Sequence, residues 1–71
     1  MSIVKITGVN EVGSNEYWVT FEFVNDQKTI EGWVSFKNGR QKKVKLIGKG
    51  ELRLAERLRV GLKARQALEN Y

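Results

Sequence analysis

Trp18, Trp33 and the stretch from Lys37 to Lys49 (K-N-G-R-Q-K-K-V-K-L-I-G-K) hold the side chains of this sequence best suited to chemistry. Indoles stack on flat π-systems, while ammonium and guanidinium groups neutralise phosphates. Together they suit recognition of a nucleic acid, where each stacked base is worth about 1–3 kcal/mol. Arg53 and Arg57 extend the basic set. The candidate nucleic-acid-binding residues are therefore Trp18, Trp33, Lys37, Arg40, Lys42, Lys43, Lys45, Lys49, Arg53 and Arg57.

Bond-making chemistry has far less to draw on. There is no His and no Cys, so the usual Ser–His and Cys–His nucleophile pairs cannot be built. Ser2, Ser14 and Ser35 have no recognisable base nearby, and no phosphate-binding loop, dinucleotide fingerprint or acidic calcium loop occurs. Glu22 and Glu31 are the one carboxylate pair that strand pairing would bring together, and surface charge accounts for them. A non-enzymatic protein without cofactor or metal is expected.

Charge sharpens the reading. The chain of 71 residues carries a net charge of +5, but unevenly. Residues 1–36 hold two basic against five acidic side chains (net −3); residues 37–71 hold eleven against three (net +8). Such asymmetry points to a polyanion-binding surface, although a solvated basic helix and a lysine-guarded strand edge would also produce it. No apolar run approaches the roughly 18 residues of a membrane span, and no signal-peptide pattern opens the chain. With no Cys, a cytoplasmic protein without membrane contact is expected.

Hydrophobic periodicity then supplies the elements that must position these groups. Ile3 to Val9 reads as a first strand, followed by a turn in Asn10 to Asn15. In Glu16 to Val24, Tyr17, Val19, Phe21 and Phe23 fall on one face and Trp18, Thr20, Glu22 and Val24 on the other. A four-residue loop, Asn25-Asp26-Gln27-Lys28, leads to a third strand, Thr29 to Lys37, with Ile30, Gly32, Val34 and Phe36 inward. Phe23 then pairs with Ile30 and Val19 with Val34, so Trp18 and Trp33 become diagonal neighbours on the outer face. The same register sets Glu22 opposite Glu31.

The fourth strand tests the turn chemistry. A two-residue Asn38-Gly39 hairpin continued without interruption pairs Val34 with Lys43 and turns Lys43 and Lys45 into the core. Burying unpaired ammonium groups costs far more than one bulge. A three-residue loop with Gly39 in a left-handed bulge is therefore expected, with Val44 and Leu46 inside and Gln41, Lys43, Lys45 and Ile47 outside. Trp33 is then expected beside Lys43, and Glu31 beside Lys45.

After Gly48-Lys49-Gly50 the pattern is helical from about 51 to 70, with Gly50 as the expected N-cap. Leu54, Ala55, Leu58, Gly61, Leu62 and Leu68 share a stripe roughly 140° wide that is expected to cover the sheet. On that placement Leu58→Asp should unfold the domain. Gly61, in the stripe, implies close approach of helix to sheet.

The expected architecture is α+β and a single domain over residues 1–71: a four-stranded, twisted antiparallel meander over about 3–47, either open or curling toward a small barrel, with one C-terminal helix over about 51–70 on one face. A small, basic, cysteine-free sheet with surface Trp and a terminal helix resembles the small archaeal chromatin proteins in general plan, without a shared motif. The leading functional expectation is a nucleic-acid-binding module, DNA or RNA, driven by phosphate contacts and largely independent of sequence. The alternatives are a protein-interaction subunit or homodimer that uses the Trp18/Trp33 face, and a small accessory or inhibitor protein.

Overall fold

The computed structural model describes residues 1–71. Four strands and one helix follow in chain order: β1 (Ile3–Gly13), β2 (Glu16–Val24), β3 (Thr29–Lys37), β4 (Arg40–Ile47) and α1 (Leu54–Glu69). The strands form one antiparallel sheet in the order β1-β2-β3-β4. β1 and β4 do not pair, so the sheet stays open and does not close into a barrel. The helix packs across one face, as the sequence predicts.

β1 runs four residues further than its alternation suggests, because two bulges keep it paired. One interrupts the register between Ile6 and Gly8, the other between Glu11 and Gly13. The first puts Thr7 beside Gly8 on the outer side, where the Thr7 hydroxyl donates to Thr20 Oγ1 at 2.9 Å. The extra residue rotates Val9 to the inner side, opposite Val19, where plain alternation would have turned it out. The β1–β2 turn narrows to Ser14-Asn15, with Asn15 at φ 55°.

β2 and β3 pair in the register expected from their apolar faces, Phe23 with Ile30 and Val19 with Val34. Their loop is fixed by the Asn25 carboxamide oxygen, which accepts from the Gln27 and Lys28 amides at 2.8 Å each. Gly32 lies where β3 meets β4 most tightly: a Cβ there would fall on the Lys45 carbonyl and meet the Phe21 ring at 3.1 Å.

The β3–β4 connection departs from expectation. It is a two-residue turn after all, with Asn38 at φ 54° and Gly39 at φ 80°, and Lys37 faces Arg40 and Phe36 faces Gln41. The bulge falls one step later, between Ser35 and Phe36, where Lys42 is the additional residue and Ser35 meets Lys43. Both demands are met: Asn-Gly takes its preferred tight turn, and Val44 and Leu46 still point inward. Gln41 consequently lies on the helix side rather than outside.

The core comprises Val19, Phe21 and Phe23 of β2, Ile30, Val34 and Phe36 of β3, Leu52, and Val60 and Ala64 of α1. The helix begins three residues later than expected. Gly50 adopts φ 123°, and the chain runs extended through Leu52, which is buried, to an N-cap at Arg53. Gly50 is thus the corner that lets Leu52 drop into the core, not the cap.

The face of α1 is the largest correction. Val60, Gly61 and Ala64 are its buried residues, with Ala67 and Leu68 partly buried, whereas Leu54, Leu58 and Leu62 are 75%, 67% and 58% exposed. The inner sheet face is already filled by three phenylalanines. Small residues let the helix approach it closely, and large leucines would hold it off. Gly61 is buried as expected, against the Gln41 carboxamide, which a Cβ would meet at 2.7 Å.

Candidate nucleic-acid interface

On the outer face Trp18 stands opposite Ser35 and Trp33 opposite Thr20, which makes the indoles diagonal neighbours. They stack with ring centroids 5.0 Å apart and planes 18° from parallel. Each ring therefore gives one face to its neighbour, and the pair behaves as a single rigid apolar block. Trp18 is 39% exposed and Trp33 half-buried, so Trp18 carries most of the free surface.

β4 adds the positive charge. Lys45 is directly opposite Trp33, and Lys43 is opposite Ser35. The expected Trp33–Lys43 pairing is therefore diagonal, and the direct neighbour is Lys45; likewise Glu31 faces Ile47, not Lys45. The difference is one pleat, two residues along β4. Ser35 is buried between the strands, and its hydroxyl bridges the Lys43 amide and carbonyl at 3.3 and 3.4 Å. That fixes the strand from which Lys43 projects.

Glu22 and Glu31 face each other as expected. With Thr7, Thr20 and Ile47 they line a shallow depression of about 250 Å³ next to Trp33. The acidic pair bounds the Trp–Lys area on one side. On the first strand, Lys5 stands opposite Glu22.

The ten candidate residues do not form one surface. Trp18, Trp33, Lys43 and Lys45 come together on the outer face. Lys37 and Arg40 face each other at the end of the β3–β4 hairpin, and Lys42 is the bulge residue. Lys49 lies in the turn after β4, Arg53 caps the helix, and the Arg57 guanidinium donates through Nε to the Leu52 carbonyl at 3.4 Å. The last three belong to the connecting segment and the helix layer. The structure has two ion pairs, Met1 amine with Asp26 and Lys28 with Glu56. None of the eleven basic residues from Lys37 to Arg65 is engaged by a carboxylate, so their charge is unspent.

Lys28, read from sequence only as loop, turns out to be a junction. Its ammonium donates to the Glu51 carbonyl at 2.9 Å and to Glu56 Oε1 at 2.7 Å, and lies 5.8 Å from the centre of the Phe23 ring. Glu56 Oε1 also accepts from the Arg53 amide at 2.8 Å, satisfying one free donor at the start of the helix. The hydrogen bond from Lys28, then that from the Arg53 backbone, hold the Glu56 carboxyl below the usual glutamate range. No local pattern signals this contact, because its partners are 28 residues apart.

The largest depression on the surface, about 560 Å³, lies at the end of the sheet between Asn15, Tyr17, Asn38, Gly39, Leu68 and Tyr71. There the Asn38 amide donates to the Asn15 carbonyl at 2.8 Å and ties the two tight turns together. Tyr17 and Tyr71 meet edge-to-face, with centroids 5.8 Å apart. Comparison with protein families, with characterised proteins and with solved structures found no match for the chain. No helix is long and apolar enough to cross a membrane.

Proposed function

We propose that the chain is a cytoplasmic, non-enzymatic nucleic-acid-binding module, phosphate-driven and largely independent of sequence, that engages its ligand through the outer sheet face. The observation that carries this reading is the exposed Trp18–Trp33 stack beside the unpaired ammonium groups of Lys43 and Lys45. A base would stack on the free face of Trp18 while the β4 lysines meet the backbone on either side of it. Lys37 and Arg40 would continue the phosphate track along the hairpin. This geometry favours a single strand, whose bases are free to splay onto a flat sheet, over a duplex.

The reading is tested by titrating labelled single-stranded and duplex oligonucleotides at several salt concentrations. Binding to the single strand is expected to weaken steeply with salt, with a log–log slope of about −0.7 per phosphate neutralised. Trp18→Ala should weaken it by about 1–3 kcal/mol with the salt slope kept. Lys43→Gln with Lys45→Gln should lower the slope instead. No detectable binding at low salt would overturn the proposal.

A second reading has its own support. Ile3 and Ile47 are half-exposed on the same outer face as Trp18, which suits a protein partner. Salt-insensitive protein binding that Trp33→Ala abolishes, without any nucleic-acid affinity, would favour it.

A further inference from the structure

The depression of about 560 Å³ at the end of the sheet has no part in the outer-face reading. Its volume is that of a small-ligand site, roughly 300–1,000 Å³. None of its six lining residues is charged: they offer two phenol rings, two carboxamides, Leu68 and the bare backbone of Gly39. The rim is fixed. Asn15 and Asn38 hold φ 55° and 54° in their turns, and the Asn38 amide donates to the Asn15 carbonyl at 2.8 Å. Both carboxamides are exposed and make no hydrogen bond within the chain, whereas those of Asn25 and Asn70 brace their own backbone. Tyr71 meets Tyr17 edge-to-face and is 71% exposed, so a ring face stays open to stacking.

Charge borders this neutral space with opposite signs on its two sides. On one side Lys37 and Arg40 flank the Asn38-Gly39 turn and face each other, with no carboxylate partner. On the other, Leu68 lies in the last turn of α1 and Tyr71 just beyond it. The carbonyls of that helix end carry partial negative charge, and no basic residue in the last turn offsets it. A ligand suited to both sides is neutral and planar where it enters, and anionic where it leaves toward the hairpin. A nucleotide has that form. Lys37 is two residues along β3 from Ser35, which faces Trp18, a step of roughly 6–7 Å. A strand stacked on Trp18 therefore reaches the hairpin end.

We propose that the depression is a base-binding subsite that selects adenine, for a nucleotide beyond the one stacked on Trp18. The inference rests on the nucleic-acid reading of the outer face and adds one base-selective position to it. The base stacks on Tyr71. The Asn38 carboxamide, with donor and acceptor side by side, matches the N6 amino group and N7 of adenine. The helix carbonyls favour that amino group, and they repel the O4 that uracil or thymine would place there. Lys37 and Arg40 take the phosphate.

The test is a titration of the ¹⁵N-labelled full chain with adenosine monophosphate, uridine monophosphate, and thymine oligonucleotides with and without inserted adenines. Adenosine monophosphate is expected to shift the amide signals of Asn15, Asn38, Gly39 and Leu68. It should bind about tenfold more tightly than the uridine nucleotide, and inserted adenines should tighten strand binding by a similar factor. Asn38→Gly should erase both preferences without lowering the thermal midpoint or the affinity for the thymine strand, because glycine accepts the same left-handed turn. Tyr71→Ala, at an exposed residue, should weaken adenosine monophosphate binding. Trp18→Ala should weaken strands of either composition and leave the mononucleotide unaffected. Strand binding without an adenine preference overturns the inference and leaves the outer-face reading standing. So does a preference that survives both Asn38→Gly and Tyr71→Ala. Shifts at the depression with adenosine monophosphate but no strand binding would sustain the base site, with a free nucleotide as its ligand, and remove the outer-face reading.

Discussion

At the scale of single residues, Glu56 does most with least. One carboxylate oxygen receives the Arg53 amide and the Lys28 ammonium, and so joins the start of α1 to the β2–β3 loop. Its acidity is raised in the folded chain, which links it to stability in a definite direction. The stabilisation is complete above the ordinary glutamate range, near about 4.3 in an unfolded chain, and disappears as the pH falls through the lower folded value. Thermal melts should therefore show Glu56→Gln less stable than wild type at neutral pH. The gap should close on acidification, and Lys28→Met should narrow it from the start. A gap that is constant with pH would contradict the linkage. Such a contact is invisible to periodicity. By contrast, the outward placement of Trp18 and Trp33 was readable, because Tyr17, Val19, Phe21 and Phe23 leave only one face for them and a four-residue loop fixes their offset.

At the scale of elements, the strands were legible and the helix face was not. The inner sides of β2 and β3 carry no charged residue, so alternation decides their orientation, and the cost of burying lysines places Val44 and Leu46 of β4 inward whichever bulge is chosen. What alternation cannot locate is where an extra residue sits, and hence Gln41 lies inward and Lys45, not Lys43, is the direct neighbour of Trp33. The helix carries two apolar stripes, one of large leucines and one of small residues. Side-chain size made the leucine stripe dominate the sequence pattern, whereas packing against a phenylalanine-filled face selects the small one. The expectation that Leu58→Asp unfolds the domain is accordingly reversed. In dilute solution Leu58→Asp should shift stability by no more than about 0.5–1 kcal/mol, the helix-propensity difference. Val60→Asp, an unpaired carboxylate in a closed core, should abolish the cooperative thermal transition. Equal effects of the two in calorimetry would put the buried face back in question.

At the scale of the whole molecule, the exposed apolar side chains fall into two separate regions, each bordered by basic residues. The unpaired lysines of β4 and the stacked indoles occupy the outer face, and the exposed Leu54, Leu58 and Leu62 lie on the helix layer, so the chain presents two independent surfaces. The ten candidate residues divide the same way, and the division is legible in the sequence: alternation places Lys43 and Lys45 on the Trp face of the sheet, and helical periodicity places Arg53 and Arg57 on a second basic surface. The strand order carries a further consequence. Every ladder joins neighbours in the chain through loops of two or four residues, whereas α1 must return to β1, where the Arg59 guanidinium donates to Ser2. Loop closure is therefore cheap within the sheet and costly only for the helix. In stopped-flow refolding, Val34→Ala in the central hairpin should slow folding, and Val60→Ala should act mainly by speeding unfolding. The helix is the last piece to arrive and the first to leave.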